Sequence, residues 1–261
     1  MRLLSTLLAV LVLGIATRQT QADLLLLDTF DIMAPFADVN GELGGRQSGA
    51  RAPQTYSFLL NASFKPALAV IVDDKLQMLN TTPGQNNTFT VWSNWAGTGL
   101  AGTVYDVSVD ITAQARGGGW AALVLNNTQD DGVVSPLSLL IDGEGPNTWD
   151  LFVNGNFFTG SLADTGGTHN AKLVIDETLG TVTAIIDGVA VQSGVPYAPP
   201  AGNHYIGMRS FANREPAGME GISTFDNFTI NGVPEPASWA LLTVGGLGLV
   251  LVRCRRRLSA R

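Results

Sequence analysis

The chain has 261 residues, a formal net charge of -7, 30 glycines and a single cysteine. All 22 acidic residues but only 8 of the 15 basic ones lie between Asp23 and Pro236, so this body carries a net charge of about -14 and lacks the basic footprint that a nucleic-acid partner requires. Cys254 lies beyond the body, which excludes disulfides and thiol chemistry there, and His169 and His204 are too few for a histidine-rich metal centre.

The front of the chain reads as a signal peptide over 1–22. Met1 and Arg2 give a positive start, 3–16 is almost wholly apolar, and Thr20-Gln21-Ala22 offers small residues to a signal peptidase, with cleavage before Asp23. A body over 23–231 follows, enough for one domain with its own core. It is rich in Gly, Asn and Thr and has no long amphipathic helical stretch, which favours short strands joined by turns.

Residues 24–30 open the body as a strand, and 34–55 is irregular. The stretches 56–62 and 67–79 are strand-like. In TVWSNWAG, Trp92 and Trp95 flank Asn94; Trp95, with Asn94 beside it, is the candidate for stacking on a sugar. Over 105–113, Tyr105, Val107, Val109, Ile111 and Ala113 alternate with Asp106, Ser108, Asp110 and Thr112. A period of two marks a strand with one buried and one wet face.

The loop 126–132, NNTQDDG, groups Asn126, Asp130 and Asp131, oxygen donors of the kind a calcium ion takes. A plain acidic loop is the other reading, and no further cofactor is indicated. Four apolar runs end in Asp-Gly or Asn-Gly: LLIDG (139–143), LFVNG (151–155), AIIDG (184–188) and FTING (228–232). Such dipeptides favour tight hairpin turns. The segment 171–191 reads as strand, turn at 177–180, strand, turn at Asp187-Gly188, strand. At least ten strands and no convincing helix predict a two-layer antiparallel β-sandwich.

A glycosidase needs two carboxyl groups facing one sugar. No Glu-x-Asp-x-x-Glu run is present. Asp106 and Asp110 share a face but stand roughly 13 Å apart along an extended chain. Asp142, beside Glu144, reads as a turn residue. No Gly-x-Ser-x-Gly elbow is present for serine catalysis.

The tail closes the chain with Val233, Pro234, Glu235 and Pro236, then 16 uncharged residues over 237–252, then Arg253, Arg255, Arg256 and Arg257. An uncharged run stopped by arginines reads as a short transmembrane helix with a basic cytoplasmic stop. Its length as a helix is roughly 24 Å, against the roughly 20 residues of a full span.

Two resemblances attach to these residues. The order Val233-Pro234-Glu235-Pro236, apolar run, Arg253 to Arg257 resembles the PEP-CTERM sorting signal of Gram-negative bacteria, over 232–261. The resemblance implies a precursor held in the inner membrane, cleaved near Pro-Glu-Pro by an exosortase, and passed to the cell surface or extracellular matrix. His169, Leu173-Val174-Ile175, Asp176 and Ala184 to Gly188 resemble the central hairpin of concanavalin A-like, laminin G-type jelly rolls. There Thr168 replaces the family's tryptophan. Phe225 to Ile230 resembles the last strand that returns beside the first. That fold implies lectin, glycosidase or spacer roles. The expected function is a non-catalytic exported protein, binding extracellular polysaccharide or purely structural; the alternative is a glycoside hydrolase or other polysaccharide-active enzyme on the same fold.

Overall fold

The computed structural model describes residues 23–28, 30, 56–60, 67–80, 87–93, 104–113, 119–127, 136–143, 148–162, 167–199, 205–212 and 221–233. Every regular element among them is a β-strand. In chain order these are β1 (Asp23–Asp28), β2 (Tyr56–Leu60), β3 (Ala67–Val72), β4 (Lys75–Asn80), β5 (Asn87–Ser93), β6 (Val104–Thr112), β7 (Trp120–Asn126) and β8 (Leu137–Asp142). Then come β9 (Thr148–Val153), β10 (Asn156–Ser161), β11 (His169–Asp176), β12 (Thr181–Ile186), β13 (Val189–Pro196), β14 (Tyr205–Ala212) and β15 (Gly221–Val233).

Alternation sends one side of each strand into a shared interior. Tyr105, Val107, Val109 and Ile111 are fully buried, as the period of two requires. β9, β11 and β12 alternate buried and half-buried residues along their length. The first sheet runs β13-β12-β11-β6-β15-β4-β3, with β1 also paired to β15. The first and last strands are therefore neighbours, as the resemblance implied. The second sheet runs β10-β9-β8-β7-β14-β5-β2. Val107, Leu173 and Ile230 from the first sheet and Leu123, Leu139, Leu151 and Met208 from the second belong to one buried cluster. Each such side chain contributes about 1.5–3 kcal/mol on leaving water. The expected antiparallel sandwich is what forms.

The outward face of β6 differs from the wet strand face that was expected. Asp106 and Ser108 are nearly buried. β6 lies mid-sheet, and its neighbours supply a polar ladder over it. Asn231 donates to Asp106 Oδ1 at 2.9 Å, and Lys172 Nζ stands 3.5 Å from the same oxygen. Ser108 and Thr229 share a hydrogen bond at 2.6 Å. Asn170 and Asn227 donate to the two oxygens of Asp110 at 2.7 and 2.8 Å. Asp106 and Asp110 are structural groups, matched by partners rather than free for chemistry.

Turns follow the dipeptide signal at two of four sites. Asn154-Gly155 and Asp187-Gly188 are two-residue turns with positive φ at both positions, the backbone that matches strand twist. Asp142-Gly143 instead opens a longer connection to Thr148, and Asn231-Gly232 lies within β15. The stretch 67–79 is two strands, folded at Asp73-Asp74 with φ of 53° and 57°. Aspartate tolerates that conformation, and the sequence offered no glycine to mark it.

The transmembrane helix expected over 237–252 is corrected. Among the described residues no helix is long and apolar enough to cross a membrane, and 237–252 lie outside them. The physical reason is in the run itself: it falls short of a full span and carries Gly245, Gly246 and Gly248, each costing helix stability relative to alanine.

Candidate functional site

The outward face of the second sheet is assembled row by row from its registers. One row sets Phe211 of β14 beside Trp120 of β7, then Asp142 of β8. The next runs Thr90 of β5, Arg209, Ala122, Leu140, Asp150 of β9 and Thr159 of β10. A third runs Trp92, Gly207, Val124, Ser138, Phe152 and Phe157. Tyr205 and Asn126 pair beyond it.

This face is apolar at its floor and aromatic at its margins. Trp92, Ala122, Val124 and Leu140 form a buried cluster with Trp120, Phe152 and Tyr205 packed against it. Trp120 and Phe211 stack at 5.5 Å between ring centroids, 13° from parallel. Phe152 and Phe157 meet at 4.8 Å, and Phe157 is 53% exposed. Gly207 has a local reason: a Cβ there would stand 2.7 Å from the Trp92 ring and from the Val91 carbonyl. The indole of Trp92 thus lies flat across β14. Its Nε1 is a buried donor with no hydrogen-bond partner among the described residues, an arrangement that costs stability.

The polar groups converge on the same floor. Arg209 is buried and its Nε donates to Thr90 Oγ1 at 2.8 Å. Thr148 donates to Asp142 Oδ2 at 3.3 Å. Burial pushes the Asp150 carboxyl above its ordinary pKa; the Thr159 hydrogen bond pulls it down, and the nearby Asp142 charge pushes it up again. Asp142 and Asp150 sit on adjacent antiparallel strands, two residues off register. The backbone positions of diagonal neighbours of this kind stand about 7–8 Å apart.

His169 sits elsewhere, at the edge of the core in the first sheet. Its Nδ1 is 2.7 Å from Asp187 Oδ2, and the Asn170 amide donates to Asp187 Oδ1 at 2.8 Å. The pair ties the Asp187-Gly188 turn to β11. It is a structural clasp, in keeping with the hairpin resemblance.

Of the residues singled out in the sequence, Asn94, Trp95, Asp130, Asp131, Pro234, Glu235, Pro236, Arg253, Arg255, Arg256 and Arg257 lie outside the described residues. Val233 is the last residue of β15. Asn126 ends β7 and accepts a hydrogen bond from its neighbour's amide at 2.8 Å. Among the described residues no group of three or more His, Cys, Asp or Glu is placed to hold a metal. Asp142, expected to serve a turn, instead joins the outward face. Asp150, Arg209 and Thr90 were not singled out. A faint sign of Asp150 lay in the alternation of TWDLFV, where it falls on the face opposite Trp149 and Leu151.

A family model of the PEP-CTERM protein-sorting motif matches residues 232–257. The motif is present and implies processing by an exosortase. No curated protein is similar to the chain in sequence. Among solved structures, the Emp46p carbohydrate recognition domain in a potassium-bound form matches with TM-score 0.53 and 11% identity, over 78% of this chain and 94% of that one. A β-1,3-glucanase from Mycobacterium marinum matches with TM-score 0.50 and 14% identity, over 80% and 99%. A sialidase matches with TM-score 0.48 and 15% identity over 69% of this chain, which spans 17% of that protein's length. At such identities the likeness is one of fold: a concanavalin A-like jelly roll shared by a carbohydrate-recognition domain and a glucanase.

Proposed function

We propose that the chain is an exported polysaccharide-active protein that lays a saccharide across the outward face of the second sheet and hydrolyses a glycosidic bond between Asp150 and Asp142. The observation that supports it is the diagonal carboxyl pair, one member of which burial holds towards its protonated form. The backbone positions of such a pair stand about 7–8 Å apart with both side chains on one face, which puts the two carboxyl groups in reach of the roughly 6.5–9.5 Å separation of inverting glycosidases, with room for a water.

The step balances with these two groups. The Asp150 carboxyl protonates the leaving glycosidic oxygen as its bond to the anomeric carbon breaks. Asp142 takes a proton from the water whose oxygen forms the new bond on the opposite side of that carbon. Asp150 ends as a carboxylate, steadied by Thr159, and Asp142 ends protonated. The aromatic margins, Trp120 with Phe211 and Phe152 with Phe157, offer ring faces against which sugar rings pack, and the few polar groups fix orientation.

A second reading, a surface or matrix protein that binds saccharide without cleaving it, is favoured by the aromatic margins, which form a stacking surface that does not depend on the carboxylates. Under either reading the acidic body and the sorting motif suit a destination at the cell surface or extracellular matrix of a Gram-negative bacterium, after signal peptidase and exosortase processing.

The test is to incubate the protein with a panel of polysaccharides that includes β-1,3-glucan. Retention and release of new reducing ends are measured together. Release abolished by Asp150→Asn and by Asp142→Asn, with retention unchanged, supports hydrolysis, and the first product should carry inverted anomeric configuration. Retention without release selects the second reading. Neither retention nor release on any polysaccharide sinks both.

A further inference from the structure

Among the described residues the second sheet has β10 at one edge and β2 at the other, and the β10 edge lacks the usual guards. Its sequence, NFFTGS, carries no charge and no proline, within a body whose net charge is about -14 when acids and bases are counted over 23–236. Charges and prolines are the usual guards of a sheet edge. At one edge of the first sheet, β13 is guarded: its pairing with β12 shifts register twice, Gly194 has positive φ, and Pro196 ends it. β10 pairs with β9 in unbroken register from Asn156 to Ser161.

The hairpin fixes which backbone groups of β10 face outwards. Val153 and Asn156 close a two-residue turn, so they form a hydrogen-bonded pair, and pairs alternate from there. Phe158 and Gly160 then also bond to β9. Phe157, Thr159 and Ser161 direct their N–H and C=O groups away from the sheet, and all three residues are exposed. Their spacing is symmetric about Thr159.

We propose that β10 pairs antiparallel with β10 of a second copy of this chain, with Thr159 at the two-fold axis. In that register Phe157 faces the partner's Ser161, Thr159 faces its own counterpart, and every outward donor and acceptor of the three residues is used. A strand that is its own complement in hydrogen bonding and free of charge suits a second copy, because the two meet with no charge on either strand. The nearest carboxylates on the joined face, the two Asp150 groups, are three strand spacings apart, about 14 Å, beyond the Debye length of about 8–10 Å. The pairing joins two second sheets into one and sets the Phe152–Phe157 margins of the two copies on either side of the axis. It stands independently of hydrolysis: the catalytic reading can fail while the pairing holds.

The test uses the full chain with Cys254→Ser, so that an introduced cysteine is the only thiol. Facing residues of a hydrogen-bonded pair stand about 5.5 Å apart at Cα, within disulfide range. Under mild oxidation Thr159→Cys should give a covalent dimer, while Leu179→Cys, 74% exposed in the turn between β11 and β12, should stay monomeric. Light scattering should give twice the monomer mass for the unsubstituted chain, and Phe157→Pro should return it to the monomer, since proline removes an outward N–H that each copy needs at a position that gives β9 no ladder hydrogen bond. A monomeric unsubstituted chain at micromolar concentration overturns the proposal. So does a Thr159→Cys protein that cross-links no more than Leu179→Cys, or a dimer unaffected by Phe157→Pro.

Discussion

Asp150 is the residue on which most turns. Its folded-state pKa lies above its unfolded value, chiefly because burial disfavours the charged form. Such a group favours folding fully below the unfolded pKa, and that contribution is lost as pH rises through the folded pKa. At neutral pH, well above the unfolded pKa, Asp150 is therefore a cost that the fold carries, which fits a group kept for chemistry. Asp150→Asn should raise the thermal midpoint at neutral pH, and the two proteins should converge as pH falls below the ordinary aspartate range; melting both across pH checks it. The same substitution should lower hydrolysis by about 10²–10⁴-fold, the usual contribution of a general acid. In the unsubstituted protein the rate should fall as pH rises through the Asp150 pKa, because the proton it donates is gone. An Asn variant no more stable than the parent at neutral pH counts against a perturbed Asp150.

At the scale of elements, three glycines separate two physical causes. A Cβ at Gly188 meets nothing within 4 Å, but φ is +78°. The cost of Gly188→Val is thus conformational, more than about 1 kcal/mol because a β-branched residue fits that backbone poorly. Gly160 and Gly207 have no such φ. A Cβ at Gly160 would stand 2.6 Å from the Trp149 ring, and one at Gly207 would meet Trp92 and the Val91 backbone at 2.7 Å. Gly160→Ala and Gly207→Ala should each cost about 1–3 kcal/mol through forced repacking. Only Gly207→Ala should also change tryptophan emission from the outward face and weaken saccharide retention. Equilibrium unfolding of the three variants checks the energies, and an unchanged curve for any of them rejects its assigned cause. The Gly188 turn was legible because Asp-Gly is a local signal. Gly160 and Gly207 were not, since what excludes a side chain is a tryptophan on another strand.

At the scale of the molecule, sorting and folding are separable. Val233 ends β15, Pro234 follows it in sequence, and each of the two prolines around Glu235 fixes φ and lacks an N–H, a sequence that disfavours a helix. An extended backbone is what a protease cleft binds. Pro234→Ala with Glu235→Ala should leave export intact and block exosortase processing, so that the full-length form accumulates. Blotting cell fractions for one tag in the body and another after Arg261 checks this. The two tags staying together on the released product of the parent chain would reject processing at this motif. Circular dichroism of the same variant should match the parent, because the strand pairs of both sheets lie before Pro234.

Local order was enough for the address and the architecture. The tail is read by its linear sequence, so Pro-Glu-Pro and the arginines announce it without any fold. Alternation with a period of two, as at Tyr105 to Ile111, fixes which side chains go inwards, and turn dipeptides place some of the hairpins. The membrane helix was over-read from the same linear signal, because absence of charge does not supply the missing length. Only the tertiary structure decided what the outward faces do. Asp106 and Asp110 looked like a wet pair until Asn170, Asn227 and Asn231 from β11 and β15 took up their oxygens. Asp142 and Asp150, eight residues apart in sequence, become diagonal neighbours because β8 and β9 pair in one register and not the next. Arg209 reaches Thr90, 119 residues away, because β14 crosses back between β7 and β5. Strand order and register are long-range choices set by the packing of the whole core, and a one-residue slip would send each of these groups to the opposite face.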